Sequence, residues 1–130
     1  MESSSKKQKD FEKALARLQE SITEYDQTHS ATVCDGLIHR FEFTFDLALK
    51  SMKEYLEEQG VSFTPTFPKQ LLKEAYRYQI IDDEEICCNM LSSRNQTSHI
   101  YDESTAQRIA KAISRDYVSV LLKLKNCDKN

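Results

Sequence analysis

A chain of 130 residues is one ordinary domain, long enough to bury a single core and too short for two. Two glycines, two prolines and no tryptophan are too little punctuation for an all-β fold, which needs a turn every few residues. The formal net charge of −3 excludes the basic excess with which nonspecific duplex binders neutralise phosphates, so any nucleic-acid role must rest on a local site.

No apolar run approaches the roughly 20 residues of a membrane span, and Met1-Glu2-Ser3-Ser4-Ser5-Lys6-Lys7 lacks the apolar stretch of a signal peptide. A cytoplasmic protein without membrane contact is the expectation. Cys34, Cys87, Cys88 and Cys127 fit a compartment that keeps thiols reduced. Their spacing is not that of a zinc site, and small buried helix residues are the simpler reading.

The expected organisation is a tail over residues 1–9 followed by a single helical domain over 10–126. Phe11, Leu15, Leu18, Ile22 and Tyr25 recur at intervals of three and four, which predicts a first helix. Ser30 supplies an N-cap for a second, long helix that Gly60 stops with a left-handed residue. Its stripe is Val33, Leu37, Phe41, Phe45, Leu49, Met52 and Leu56, while Phe43 and Leu47 lie off that stripe. So wide an apolar surface predicts a buried central helix or a subunit interface, hence a homodimer. Pro68 suits the first turn of a third helix. Asp82-Asp83-Glu84-Glu85 cap a fourth, which fades near Arg94. Ser104 with Gln107 forms a capping box for the last helix, whose core face runs from Ala106 to Leu124. The fold class is all-α, an up-and-down bundle of four to five helices.

Folding explains Arg94-Asn95-Gln96-Thr97-Ser98-His99-Ile100-Tyr101-Asp102 least well. Unbroken helix would turn Arg94 and His99 about 140° apart, so they converge only if the helix ends or bends between them. An Arg is a fixed cationic fork suited to phosphate, and a His takes and gives protons near neutral pH. Together they suit metal-free cleavage of RNA. His99 would activate the ribose 2′-hydroxyl or protonate the leaving oxygen, while Arg94 stabilises the charged transition state. The same residues also serve as a helix-end ion pair and a surface imidazole. Glu42 and Asp46, at helical spacing, either pair with a cation near the site or form a polar face. His29 and His39 have no comparable company and read as structural.

Two blocks carry a family resemblance. Asp35-Gly36-Leu37-Ile38-His39-Arg40-Phe41-Glu42-Phe43-Thr44-Phe45-Asp46-Leu47-Ala48 is similar to the second helix of the nucleotidyltransferase substrate-binding family. Arg94-Asn95-Gln96-Thr97-Ser98-His99-Ile100-Tyr101-Asp102-Glu103 resembles its R-x-x-x-x-H-x-Y signature and acidic tail. The resemblance runs from about Phe11 to Leu124, with Ile86 and Cys87 standing where relatives often have Trp. It implies a bundle like the C-terminal domain of kanamycin nucleotidyltransferase, a homodimer, and a partner encoded nearby that is a minimal nucleotidyltransferase. In the toxin–antitoxin version of such pairs, the HEPN subunit is a metal-independent ribonuclease. Arg94 and His99 would then be catalytic and Asn95 and Asp102 supporting. Tyr101 would be the hydroxyl the partner adenylylates, and the HEPN subunit itself would need no metal or cofactor. The alternative is a noncatalytic subunit that binds a nucleotide or other substrate for the transferase, and a third is a purely structural dimerisation module. The chain lacks a Gly-rich phosphate loop and an Asp-x-Asp metal pair, so it is not read as the transferase itself.

Overall fold

The computed structural model describes residues 5–63, 67–100 and 102–125. Helix α1 spans Lys6–Thr28, α2 Ala31–Glu58, α3 Pro68–Arg77 and α4 Glu84–Gln96. A 3-10 turn, Thr97–His99, follows α4. Helix α5 (Glu103–Ala112) then continues through one π turn, Ile113–Tyr117, into α6 (Val118–Lys125). No strand occurs among the described residues, and none of their helices is long and apolar enough to cross a membrane.

Helix α1 starts earlier than its apolar stripe suggests. The Ser5 hydroxyl accepts from the Gln8 amide at 3.1 Å, satisfying a donor that the first turn leaves open. The Gln8 side chain, 3% exposed, donates to the carbonyls of Leu124 and Lys125 and accepts from Ser51. A buried amide so matched ties the first turn to α2 and α6. At the other end His29 adopts φ 52° and its amide reaches the Tyr25 carbonyl at 2.8 Å. Ser30 then caps α2 through the Val33 amide. This two-residue turn lays α1 against α2 as an αα-hairpin.

Helix α2 is the spine of the bundle. Its residues Cys34, Leu37, Ile38, Phe41, Phe45, Ala48, Met52 and Leu56 are all buried. Phe43 and Leu47 remain half-buried. Gly60 takes φ 95°, a conformation that costs a side-chain-bearing residue energy, and lets the Val61 amide return to the Leu56 carbonyl. Pro68 opens α3, and the Asp83 carboxylate caps α4 through the Ile86 amide. Cys87 is 1% exposed, and Ile86 packs partly against the core. Burial pushes the Cys87 thiol up to about 12, which leaves it protonated and inert. Cys34 is buried as well, while Cys127 lies outside the described residues.

The last helix corrects one expectation. Its cap is Asp102, not Ser104. The Asp102 carboxylate accepts from the Thr105 amide at 3.1 Å, and Ser104 donates its hydroxyl to that same carboxylate. A charged acceptor outcompetes a hydroxyl for the open amide.

The π turn ends on Tyr117, which is 6% exposed. Its ring stacks on Phe41 at 5.6 Å. Its hydroxyl meets Ser93 Oγ at 2.8 Å and donates to the Asn89 carbonyl at 3.2 Å. The last helix is thus pinned to both α2 and α4. Tyr117→Phe keeps the ring and strips the buried Ser93 hydroxyl of this partner, so it is expected to cost about 1–2 kcal/mol. Urea unfolding measures that loss, and an unchanged midpoint would show that the hydroxyl contributes nothing.

Candidate functional site at the end of helix α4

Helix α4 ends where Thr97 intervenes. The Thr97 amide returns to the carbonyls of Ser93 and Arg94, and its hydroxyl donates to the Arg94 carbonyl at 2.6 Å. Such side-chain bonding competes with helix continuation, and the chain tightens into the 3-10 turn that carries His99. Helix α4 therefore ends between Arg94 and His99.

Arg94 points from this end toward α2. Its Nε and Nη2 donate to the two carboxylate oxygens of Asp46, each at 3.0 Å. Its Nη1 donates to Glu42 Oε2 at 3.2 Å and to the Thr97 hydroxyl at 3.4 Å. The fork on Asp46 is the bidentate geometry that fixes a guanidinium in orientation. Nε, Nη1 and Nη2 each have an acceptor among the described residues, and the side chain stays part-exposed, so a ligand can still reach it. Hydrogen bonding to Asp46 holds the guanidinium even more firmly protonated than usual, against the opposing effect of burial. Of the two readings of Glu42 and Asp46, the cation partner is the one observed.

Glu42 binds more than Arg94. Its Oε2 also contacts the Thr97 hydroxyl, and its Oε1 lies 3.5 Å from His39 Nδ1. One carboxylate on α2 thereby gathers His39, Arg94 and Thr97. Spacing along α2 carries a trace of this, since positions 39, 42 and 46 share a face away from the buried stripe. The partner segment, some fifty residues later, is not visible in that spacing. Nothing in the local sequence sets Thr97 apart from the other polar residues of its run, or His39 from a structural histidine.

His99 and Asn95 are exposed. Asp102 is spent on capping α5, and the hydrogen bonds from Ser104 and Thr105 hold its carboxyl below the usual range. Tyr101 lies outside the described residues. A cleft of about 270 Å³ is lined by Tyr25, His29, Cys34, Asp35, Asp102 and Glu103, among others. Three carboxylates make it the wrong sign for phosphate, so the Arg94 cluster is the better candidate.

Residues 6–128 match the model of a family described as nucleotidyltransferase substrate binding protein like. The chain belongs to that family. A Haemophilus influenzae relative named probable ribonuclease HepT is 33% identical over 81 residues. That alignment takes in 60% of this chain and 56% of the relative, so it spans little more than half the relative's length. A solved Haemophilus influenzae structure superposes with a TM-score of 0.85 at 24% identity, covering 95% of this chain and 99% of that one. It is described as revealing the fold of a substrate binding domain of a nucleotidyltransferase, and at this identity the likeness speaks for the fold alone. A Thermus thermophilus protein superposes with a TM-score of 0.82 at 27% identity, over 92% of this chain and 99% of its own. The helical bundle expected from the sequence is thus the architecture of the nucleotidyltransferase substrate-binding family.

Proposed function

We propose that this chain is the HEPN-type subunit of a two-gene module with a minimal nucleotidyltransferase, acting in the cytoplasm as a metal-independent ribonuclease toxin. The observation that carries the reading is the pair at the end of α4. Arg94 is oriented by a bidentate carboxylate, and His99 is exposed one short turn beyond it. The name of the HepT relative supports the same chemistry. His99 takes the 2′-hydroxyl proton, and Arg94 offers its charge to the phosphate as negative charge builds. A homodimer would set two such sites together and cover Phe43 and Leu47. Asn95 borders the site.

The brake in this reading is adenylylation of Tyr101 by the partner. A tyrosine hydroxyl is a poor nucleophile unaided, so the modification requires an enzyme to position it. Adenylate phosphates two residues from His99 bring negative charge and bulk to the place that RNA phosphate needs.

A second reading is favoured by one observation. Arg94 is outnumbered by Glu42 and Asp46, which weakens its pull on a polyanion. A noncatalytic subunit that binds a nucleotide or other substrate for the transferase would tolerate that balance better. Incubating the purified chain with RNA in EDTA decides between them. Ribonuclease action leaves a 2′,3′-cyclic phosphate, because the nucleophile is the neighbouring hydroxyl. With the cognate transferase and ATP, intact mass is expected to rise by one or more AMP units. Tyr101→Phe is expected to block that rise and leave cleavage unchecked. Intact RNA together with an unmodified Tyr101 would transfer the assignment to the binding subunit.

A further inference from the structure

Cleavage through the 2′-hydroxyl needs two proton transfers, one from the nucleophile and one to the departing 5′-oxygen. Within one protomer His99 supplies a single imidazole. A second imidazole of the same protomer stands on the carboxylate that binds Arg94. His39 Nδ1 faces Glu42 Oε1 at 3.5 Å, while Arg94 and Thr97 occupy Oε2 of that carboxylate. Arg94 and His39 are therefore one carboxylate's span apart. Thr97 in turn begins the 3-10 turn that ends at His99, whose Cα lies about 4 Å further along the axis.

The chemistry of His39 suits the task. Its side chain is 74% exposed, so a ligand can reach it. Glu42 Oε1 stands 3.5 Å from Nδ1, so Nε2 is the nitrogen left for a ligand. The Phe43 ring contacts the imidazole edge-to-face at 5.4 Å between centroids and restricts its rotation. Charge argues the same way. Arg94 stands against two carboxylates, and an imidazolium at position 39 brings the cluster to neutrality where a phosphate would bind.

Resting on the ribonuclease reading, we propose that His39 is a second catalytic residue, the general acid that protonates the leaving 5′-oxygen while His99 deprotonates the 2′-hydroxyl. The O2′–P bond forms as the P–O5′ bond breaks. The 2′-hydroxyl proton passes to His99, and the Nε2 proton of the His39 imidazolium passes to O5′. The products are a 2′,3′-cyclic phosphate and a 5′-hydroxyl, and exchange with water resets both imidazoles.

The test compares wild type, His39→Gln and His99→Ala, in EDTA, on an RNA oligonucleotide. A second oligonucleotide carries sulfur in place of the 5′-bridging oxygen at the mapped cleavage position. A thiolate leaves without a proton, so it does not need a general acid. His39→Gln is expected to cut the all-oxygen RNA about 100-fold or more slowly while staying within about threefold of wild type on the sulfur-bridged RNA. His99→Ala is expected to fail on both. Because His39 is exposed, His39→Gln is expected to keep the helical spectrum of the wild type. Equal rates for wild type and His39→Gln on both substrates, or equal losses on both, would overturn the role of His39 alone. A wild-type chain that cuts neither RNA overturns the ribonuclease reading and His39's role with it.

Discussion

His99→Ala is expected to abolish RNA cleavage at unchanged stability, whereas Arg94→Ala is expected to lose both. The imidazole is exposed on a short turn, so truncating it opens no cavity in the core, and its loss removes about 10²–10⁴ in rate. Arg94 differs because it holds two carboxylates in place. Its side chain is 29% exposed, against 25% for Glu42 and 42% for Asp46, so the cluster lies between a surface pair and a buried one. Removing the guanidinium leaves Glu42 and Asp46 facing each other one helical turn apart, at a cost of about 1–2 kcal/mol once solvent screening is allowed for. It also removes transition-state charge stabilisation worth about 10²–10³ in rate. Adding Asp46→Asn to Arg94→Ala relieves the repulsion and is expected to return part of the stability and none of the cleavage. Thermal melts and cleavage rates on the same preparations separate the two effects. Persistent cleavage by Arg94→Ala would reduce the arginine to a structural pin.

The distribution of these residues explains how far the sequence could be read. Helix α2 was legible because Leu37, Phe41, Phe45, Met52 and Leu56 repeat at helical period and are buried together. Local rules also gave Ser30, Asp83, Gly60 and Pro68 their places, since each acts on neighbours within a turn. Asp102 was missed as a cap for a related reason. Two local acceptors competed, and spacing does not say that a carboxylate prevails over the Ser104 hydroxyl. The candidate site was legible only in halves. Arg94 and His99 stood out because the polar run after Arg94 ends a helix. Glu42 and Asp46 showed the right interval but no partner, because the contact spans about fifty residues and depends on how α4 docks on α2. The role of Thr97 as a bridge between Glu42 and the Arg94 carbonyl follows from that docking alone.

Phe41→Ala is expected to produce the largest loss of stability, about 3–5 kcal/mol. Phe41 is fully buried. Its ring lies between Phe45, at 5.9 Å, and Tyr117, at 5.6 Å, so its removal opens a cavity shared by α2 and the π turn. Aromatic stacking adds to the area lost. For a domain whose total stability is about 5–15 kcal/mol, the melting temperature is expected to fall by roughly 10–20 °C. The residue adjoins Glu42 in sequence but points about 100° away around the helix, so it packs the core while His39, Glu42 and Asp46 lie on the neighbouring face. Cleavage by the variant is therefore expected to stay near wild type well below its new midpoint and to vanish with unfolding. A cold, folded Phe41→Ala protein without cleavage would show instead that core packing sets the register between α2 and α4. Glu42, Asp46 and Arg94 would then owe their alignment to this ring.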